Sequence, residues 1–185
     1  MNLTVRLAAS PEDFDIIRRM NNQVFACEIG QHEASPDGRL VDPYESRSQF
    51  MLAFDSDQPV AMVSFNHQPP YSVVRKLADP SVLDTLPGPL FEIRLLAIDS
   101  AHRGKPLLTI LLARLFDLLR EHGARTAIIS GITTRAPMYR AMGFVEIGPA
   151  VQSGSAEFFP MALDLENLPA SARAIYSRYA GRPAS

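Results

Sequence analysis

The order in which strand and helix patterns follow one another constrains the fold of this chain more than any other feature. Apolar strand patterns are predicted over 3–8, 50–54, 59–66, 90–98, 126–131, 144–148 and 156–165. Helix patterns are predicted over 10–25, 105–122, a short segment from about 134, and 171–179. Because strands and helices mix in this order, the sequence predicts an α/β fold of three layers with a mixed sheet.

The strongest helix pattern also locates the core. Apolar residues recur at positions 108, 111, 112, 115, 118 and 119, which is the spacing of one buried helix face. Gly123 is the expected cap at its end, and Ser10 with Asp13 is the expected cap at the start of the first helix. With 185 residues, of which 46% are hydrophobic and 21% charged, we expect a single soluble domain over 1–185, with a core of about 3–165 and a tail at 166–185.

Charge and cysteine content argue against several kinds of partner. A formal net charge of -2 argues against nucleic acid. Cys27 stands alone, so no disulfide forms within one chain, which fits a reducing cytoplasm. The four histidines show no metal-ligand spacing, so no metal is expected. No secretory signal is visible, and the apolar run 107–119 is too short and too charged to span a membrane.

Two long connections are candidates for substrate contact. The stretch 27–47 is polar and rich in Gly, Pro and acidic residues, and the stretch 67–88 is punctuated by proline, with one helical turn expected on each side of Asp79-Pro80. Loops of this length in compact domains often carry function. The candidate acceptor contacts are Glu28, His32, Glu33 and His67, and a solvated polar loop is the simpler interpretation of all of them.

The chemically most informative motif is Tyr139, separated by three residues from the pair Gly143-Phe144. In a strand-helix-strand unit such a glycine ends the helix in the left-handed conformation, and the phenylalanine begins the next strand. The Tyr139 hydroxyl then lies near the carboxyl end of the preceding strand, where open α/β sheets place their ligands. A tyrosine that merely packs the helix before an ordinary glycine cap is the alternative.

The element order and the Tyr139 motif together resemble the GNAT superfamily of N-acyltransferases, over roughly residues 5–165. The resemblance implies the GNAT fold, a mixed and mostly antiparallel central sheet flanked by helices. It also implies an enzyme in which the motif's tyrosine lies beside a thioester sulfur and protonates the departing thiolate. We therefore expect Tyr139 to be the catalytic acid.

The turn after strand 90–98 resembles the family's pyrophosphate-binding turn. In the family, an Arg-Gly-x-Gly-x-Gly-type turn opens a helix, and its backbone N–H groups bind the pyrophosphate of coenzyme A. The resemblance assigns Arg103, Gly104 and Lys105 to donor binding. Pro106 and Leu108 stand where the second and third glycines belong, and proline offers no N–H. A charged loop that caps an ordinary core helix is the alternative.

Strand 90–98 itself supplies the remaining candidates. In the family, a bulge in this strand presents amides that bind pantetheine and polarise the thioester carbonyl; by resemblance these are the amides of Leu96, Ala97 and Ile98. Glu92 would share a face with Leu96 in an undistorted strand. We expect Glu92 to act as the base, directly or through water, or to orient the substrate ammonium. A salt bridge to Arg94 or to an arginine of a neighbouring strand is an equal alternative.

The altered turn points to one branch of the superfamily. The acyl-homoserine-lactone synthases and the long-chain N-acyl amino acid synthases share the fold and commonly take acyl groups from acyl carrier protein, whose arm presents one phosphate. The segments 17–25, 40–45 and 91–94 resemble theirs in the same order along the chain.

These observations predict a cytoplasmic N-acyltransferase that moves an acyl group by direct transfer to the primary amine of a small molecule. The donor is either acyl-CoA, with acetyl-CoA included, or the phosphopantetheine arm of acyl carrier protein. An acetyl-CoA-dependent N-acetyltransferase and a GNAT-like module without catalysis are the alternatives. The acceptor, the acyl length and the oligomeric state, a homodimer included, stay open.

Overall fold

The computed structural model describes residues 2–104 and 106–179, and within them eight strands form one sheet. The strands are β1 (Leu3–Leu7), β2 (Gln49–Asp55), β3 (Gln58–Asn66), β4 (Leu90–Ile98), β5 (Thr126–Ile132), β6 (Val145–Glu146), β7 (Val151–Ser153) and β8 (Ala156–Asp164). Their order is β1-β2-β3-β4-β5-β8-β6, with β7 also paired to β8. The pair β4 and β5 is parallel and the other pairs are antiparallel. The prediction of a mixed, mostly antiparallel sheet is confirmed.

Helices cover both faces of this sheet. The α-helices are α1 (Pro11–Asn21), α2 (Leu107–Glu121), α3 (Ala136–Ala141) and α4 (Ala170–Ser177); a π-helix spans Asn22–Glu28, and 3₁₀ helices span Glu45–Arg47, Ser72–Lys76, Pro80–Thr85, Ser100–His102 and Thr133–Arg135. Alternate strand residues pack on α2 and α4 from one face, and on α1 and the 72–85 helices from the other. No helix in the described ranges combines the length and apolarity needed to cross a bilayer.

Capping residues in the sequence determine where α1 begins and where α2 begins and ends. The side chains of Ser10 and Asp13 form the predicted capping box at the start of α1. The Arg6 guanidinium holds the pKa of the Asp13 carboxyl well below its usual range. Gly123 takes a φ of 79° just after α2, as its predicted cap role requires. Pro106, which has no N–H to leave unpaired, precedes the first residue of α2.

The structure differs from the sequence prediction at three places. The first helix does not end near residue 25, because it widens into the π-helix and stays helical to Glu28. The strand predicted over 144–148 is limited to Val145–Glu146, and the short strand β7 was not predicted. Both short strands contribute few apolar residues, so neither has a strong alternating pattern.

Candidate active site

A cleft lies where the two central parallel strands separate. β4 and β5 pair through residues 90–92 and 126–128. Beyond these residues both strands border a cleft of about 650 Å³, whose other walls come from residues 24–29, the turn at 102–104 and α3. The carboxyl ends of two parallel strands thus open onto one cavity, the usual ligand position in α/β proteins.

The β4 wall of this cleft carries a bulge. Ser64 of β3 pairs with Arg94 and Met62 pairs with Ala97, so Leu95 and Leu96 together oppose the single residue Val63. Leu95 takes a φ of 51°, a left-handed conformation that leucine rarely adopts. The bulge expected from the resemblance is present, immediately before Leu96, Ala97 and Ile98.

The bulge also changes which residues share a face of the sheet. Leu96 packs with the α2 core, together with Phe91 and Ile93, whereas Ala97 packs with the α1 cluster. Glu92 lies between Phe91 and Ile93 along the strand and therefore faces the side opposite Leu96. The prediction that Glu92 and Leu96 share a face is wrong, because the extra residue in the bulge shifts the alternation of side chains.

Tyr139 borders the cleft from α3. Its ring lies against Gly131 of β5, where an added Cβ would meet two ring carbons at 2.8 Å. It also makes an edge contact with Phe144 at a centroid separation of 6.4 Å. Gly143 ends the helix with a φ of 98°, and the Phe144 N–H donates to the Tyr139 carbonyl. Gly143 therefore ends the helix as predicted, whereas the next strand begins at Val145, one residue after Phe144. Gly131 makes the room for the Tyr139 ring.

The environment of Tyr139 keeps its phenol protonated. Burial raises the pKa of the Tyr139 hydroxyl above its ordinary value, while the charge of Arg135 and a hydrogen bond from the Ile132 backbone act in the opposite direction. The neutral phenol is the form present at neutral pH, and it is the form that a general acid needs.

In the described part of the turn after β4, His102 and Arg103 both contact carboxylates. Asp99 accepts from the Ala101 N–H at 3.0 Å and lies 3.0 Å from Nδ1 of His102. Arg103 donates through Nε to the carbonyl of Ile98 at 2.9 Å and pairs with Glu28 across the cleft. Gly104 takes a φ of 78°. Lys105, also predicted to bind the donor, lies outside the described residues.

Glu92 lies away from the cleft, beneath the 67–88 connection. Its side chain has no solvent exposure, and it is not among the residues that line the cavity. Its carboxylate accepts from the Ser72 N–H at 2.8 Å, the Ser72 hydroxyl at 2.7 Å and the Val73 N–H at 2.7 Å. These contacts hold the start of the Ser72–Lys76 helix against the sheet. The structure does not bring Glu92 together with Tyr139, and this position favours a structural role.

Replacing Glu92 with glutamine separates the two roles. We expect Glu92→Gln to lower the free energy of unfolding by about 2 kcal/mol, because an amide NH₂ would replace an oxygen that faces hydrogen-bond donors. Urea denaturation measures that loss, and the pH dependence of kcat/KM should be unchanged. A variant of native stability that loses the acidic limb of its pH profile would instead establish Glu92 as the base.

Arg94, the predicted alternative salt-bridge partner of Glu92, pairs with a different carboxylate. Arg94 borders the cleft and forms a bidentate pair with Asp42, at 2.6 and 2.9 Å. Its guanidinium carbon lies 4.4 Å from the centre of the Tyr44 ring. The connection 27–47 is also tied to α1 by a bidentate pair between Arg18 and Glu45, at 2.6 and 3.1 Å. The segments 17–25, 40–45 and 91–94, singled out by their order along the chain, therefore meet in the structure.

The remaining candidates are dispersed. Glu28 lies in the cleft wall, whereas His32 and Glu33 are exposed in the connection. His67 stacks on Phe91 with ring centres 5.4 Å apart. Sequence reasoning did not single out Gly131 as the residue that makes room for Tyr139, although a glycine inside a strand often marks a close approach.

The sequence and the fold place this chain in a known family. Residues 17–146 match the profile described as the Acetyltransferase (GNAT) family, and the chain belongs to that family of acyltransferase enzymes. No curated protein sequence is significantly similar to it.

Solved structures share its fold. The chain is similar to the CoA-dependent acyl-homoserine lactone synthase BjaI solved with SAM and isopentyl-CoA, with TM-score 0.75, 18% identity and coverage of 96% of this chain and 89% of that chain. It is similar to the synthase LasI, with TM-score 0.75, 16% identity and 98% coverage of both chains. The N-acyl amino acid synthase FeeM from uncultured soil microbes gives TM-score 0.73 at 15% identity, covering 93% of this chain and 97% of that chain. The predicted family is confirmed, and so is the structural likeness to the suspected branch.

Proposed function

We propose that this chain transfers an acyl group directly from a pantetheine thioester to the primary amine of a small molecule. The observation that carries the proposal is that the bulged strand β4 and the protonated Tyr139 border one cleft. Beyond Glu92, β4 has lost its pairing with β5, so its outer edge offers N–H groups to an extended ligand. The amides of Leu96, Ala97 and Ile98 are the proposed contacts for pantetheine and the thioester carbonyl.

The proposed chemistry is a single acyl transfer. The amine nitrogen attacks the thioester carbon, so a C–N bond forms and the C–S bond breaks. The neutral amine is the nucleophile, and after attack its nitrogen loses a proton to water or to a base. Tyr139 gives its proton to the departing sulfur and regains one from solvent. Holding the amine and the thioester together in the cleft supplies the orientation that this step needs.

The cleft wall supports a donor with an acyl chain larger than acetyl. Its lining is mostly apolar and includes Phe25, Leu108, Leu112, Met138 and Phe158. Leu108 occupies cleft space near the turn, and Pro106 brings no N–H, so the turn is poorly equipped for a pyrophosphate. Acyl-CoA and acyl carrier protein remain the two donor classes. BjaI is CoA-dependent by its description, which supports the first.

A plain acetyltransferase is the second candidate, since the matched family carries that description. A site for acetyl alone would leave most of the apolar wall without a ligand contact. The acceptor contacts are proposed for the two long connections, and the single-domain organisation and cytoplasmic location stay predictions.

Release of free thiol tests this function. The purified chain is incubated with acetyl-CoA, a long-chain acyl-CoA or an acyl carrier protein, each with a panel of amines that includes amino acids. We expect amine-dependent release that is faster with a long acyl chain than with acetyl. Lack of release with every donor, together with no thermal shift on adding CoA, would contradict an enzymatic role.

A further inference from the structure

An ion pair joins two walls of the cleft beside the turn that is expected to bind the donor. Glu28, the last residue of the π-helix, pairs with Arg103 in the turn after β4, and both side chains line the cleft. The two residues are 75 positions apart, so the pair joins separate walls. Arg103 is the guanidinium expected to bind the phosphate of the donor. In this structure a carboxylate of the same chain occupies it.

Few groups in the described part of the turn could replace Arg103, and Lys105, also expected to bind the donor, lies outside that part. The Nε of Arg103 is already committed to the carbonyl of Ile98, at 2.9 Å. The His102 ring lies 3.0 Å from Asp99 and 3.7 Å from Asp55, so this side chain already faces two carboxylates. Pro106 contributes no N–H. Of the described residues of the turn, Arg103 is therefore the one with a permanent positive charge for a donor phosphate, and that phosphate also meets the negative charge of Glu28.

Breaking the Glu28–Arg103 pair should cost the fold little, so a phosphate can replace Glu28 as the partner of Arg103. The side chains of the pair are 40% and 28% exposed, and ion pairs of this exposure contribute little to folding. A phosphate is a stronger partner for a guanidinium than a single carboxylate, because it carries more charge and more acceptor oxygens. Displaced from Arg103, Glu28 would still lie close to the phosphate and repel it.

The backbone of the π-helix places Glu28 in the cleft wall, within reach of Arg103. Val24, Phe25, Glu28 and Ile29 all line the cleft. The Ile29 N–H donates to the Val24 carbonyl, the five-residue spacing of a π-turn. An uninterrupted α-helix would rotate the residues after Asn22 onto a different face. π-Turns are rare, and they recur at functional sites.

We propose that Glu28 is a donor-specificity residue: it competes with the donor phosphate for Arg103 and disfavours donors in proportion to their phosphate charge. A pantetheine donor with one phosphate is then favoured over coenzyme A, which carries a pyrophosphate and a further phosphate. This inference rests on the proposed function, because it requires a phosphate-bearing donor in the cleft.

Calorimetric titration of Glu28→Gln with CoA and with 4′-phosphopantetheine tests it. We expect the variant to bind CoA about fivefold more tightly than the wild-type chain, and 4′-phosphopantetheine less than about twofold more tightly. Raising the salt concentration should shrink the difference between variant and wild type for CoA. Glu121→Gln, which changes an exposed acid at the end of α2 outside the cleft lining, should bind both probes as the wild type does.

The Arg103→Ala background identifies the mechanism. There, Glu28→Gln should improve CoA binding less than it does in the native background, since the competition for Arg103 is gone and only the direct repulsion between Glu28 and the phosphates remains. Unchanged or weaker CoA binding by Glu28→Gln, or equal improvement for both probes, overturns the proposal and leaves the proposed function standing. Failure of every variant to bind either probe overturns both. Circular dichroism of each variant confirms that the fold is retained.

Discussion

Replacing Tyr139 with phenylalanine is expected to lower kcat by about 10²-fold and to change donor affinity by less than about twofold. The variant keeps the ring against Gly131 and Phe144 and removes only the hydroxyl that would protonate the thiolate. Because burial raises the pKa of Tyr139 above its ordinary value, kcat of the wild-type chain should not decline through loss of this proton until the solution is more alkaline than the range in which a free tyrosine titrates. Steady-state thiol release over a range of pH measures both effects.

A second tyrosine gives the matched control. Tyr176 of α4 is buried, packs on Phe116 and has a hydroxyl without a hydrogen-bond partner among the described residues, so Tyr176→Phe should leave kcat unchanged. Gly131→Ala displaces the Tyr139 ring without altering its chemistry, because the new Cβ would lie 2.8 Å from two ring carbons. Equal kinetics for Tyr139→Phe and the wild type would remove Tyr139 from the acid role.

Features set by local chemistry could be predicted from the sequence. Ser10 and Asp13 satisfy free N–H groups at a helix start, and Gly123 and Gly143 supply positive φ angles at helix ends. The apolar spacing of α2 identifies its buried face without knowledge of its partners. The element order followed from such signals, and so did the location of Tyr139.

Features set by distant parts of the chain could not be predicted from pattern alone. Nothing local marks Leu95 for a left-handed conformation; the pairing of β3 with β4 imposes it. The face on which Glu92 falls depends on that bulge, so even spacing along the strand was misleading. The π-helix likewise has no periodicity of its own over a single short segment.

The ion pair between Asp42 and Arg94 is a contact between distant parts of the chain that no local pattern predicts. Breaking it should destabilise the fold strongly. The residues are 52 positions apart, and their side chains are 5% and 16% exposed. Two parallel N–H···O contacts fix the guanidinium beside the cleft, and the Tyr44 ring packs over it. Removing the carboxylate leaves a largely buried cation without its counter-charge, which is far more costly than losing a surface pair.

We therefore expect Asp42→Asn to lower the free energy of unfolding by about 3 kcal/mol, near the lower end of the range for broken buried pairs because Arg94 keeps some contact with water. Urea denaturation at neutral pH should show a lower midpoint with an unchanged slope.

Asp37→Asn in the same connection removes an exposed carboxylate with local contacts only and should cost less than about 1 kcal/mol. In an Arg94→Met background the Asp42 substitution should cost much less, since the stranded cation is absent. A loss below about 1 kcal/mol for Asp42→Asn in the native background would show that the pair does not anchor the 27–47 connection to the cleft.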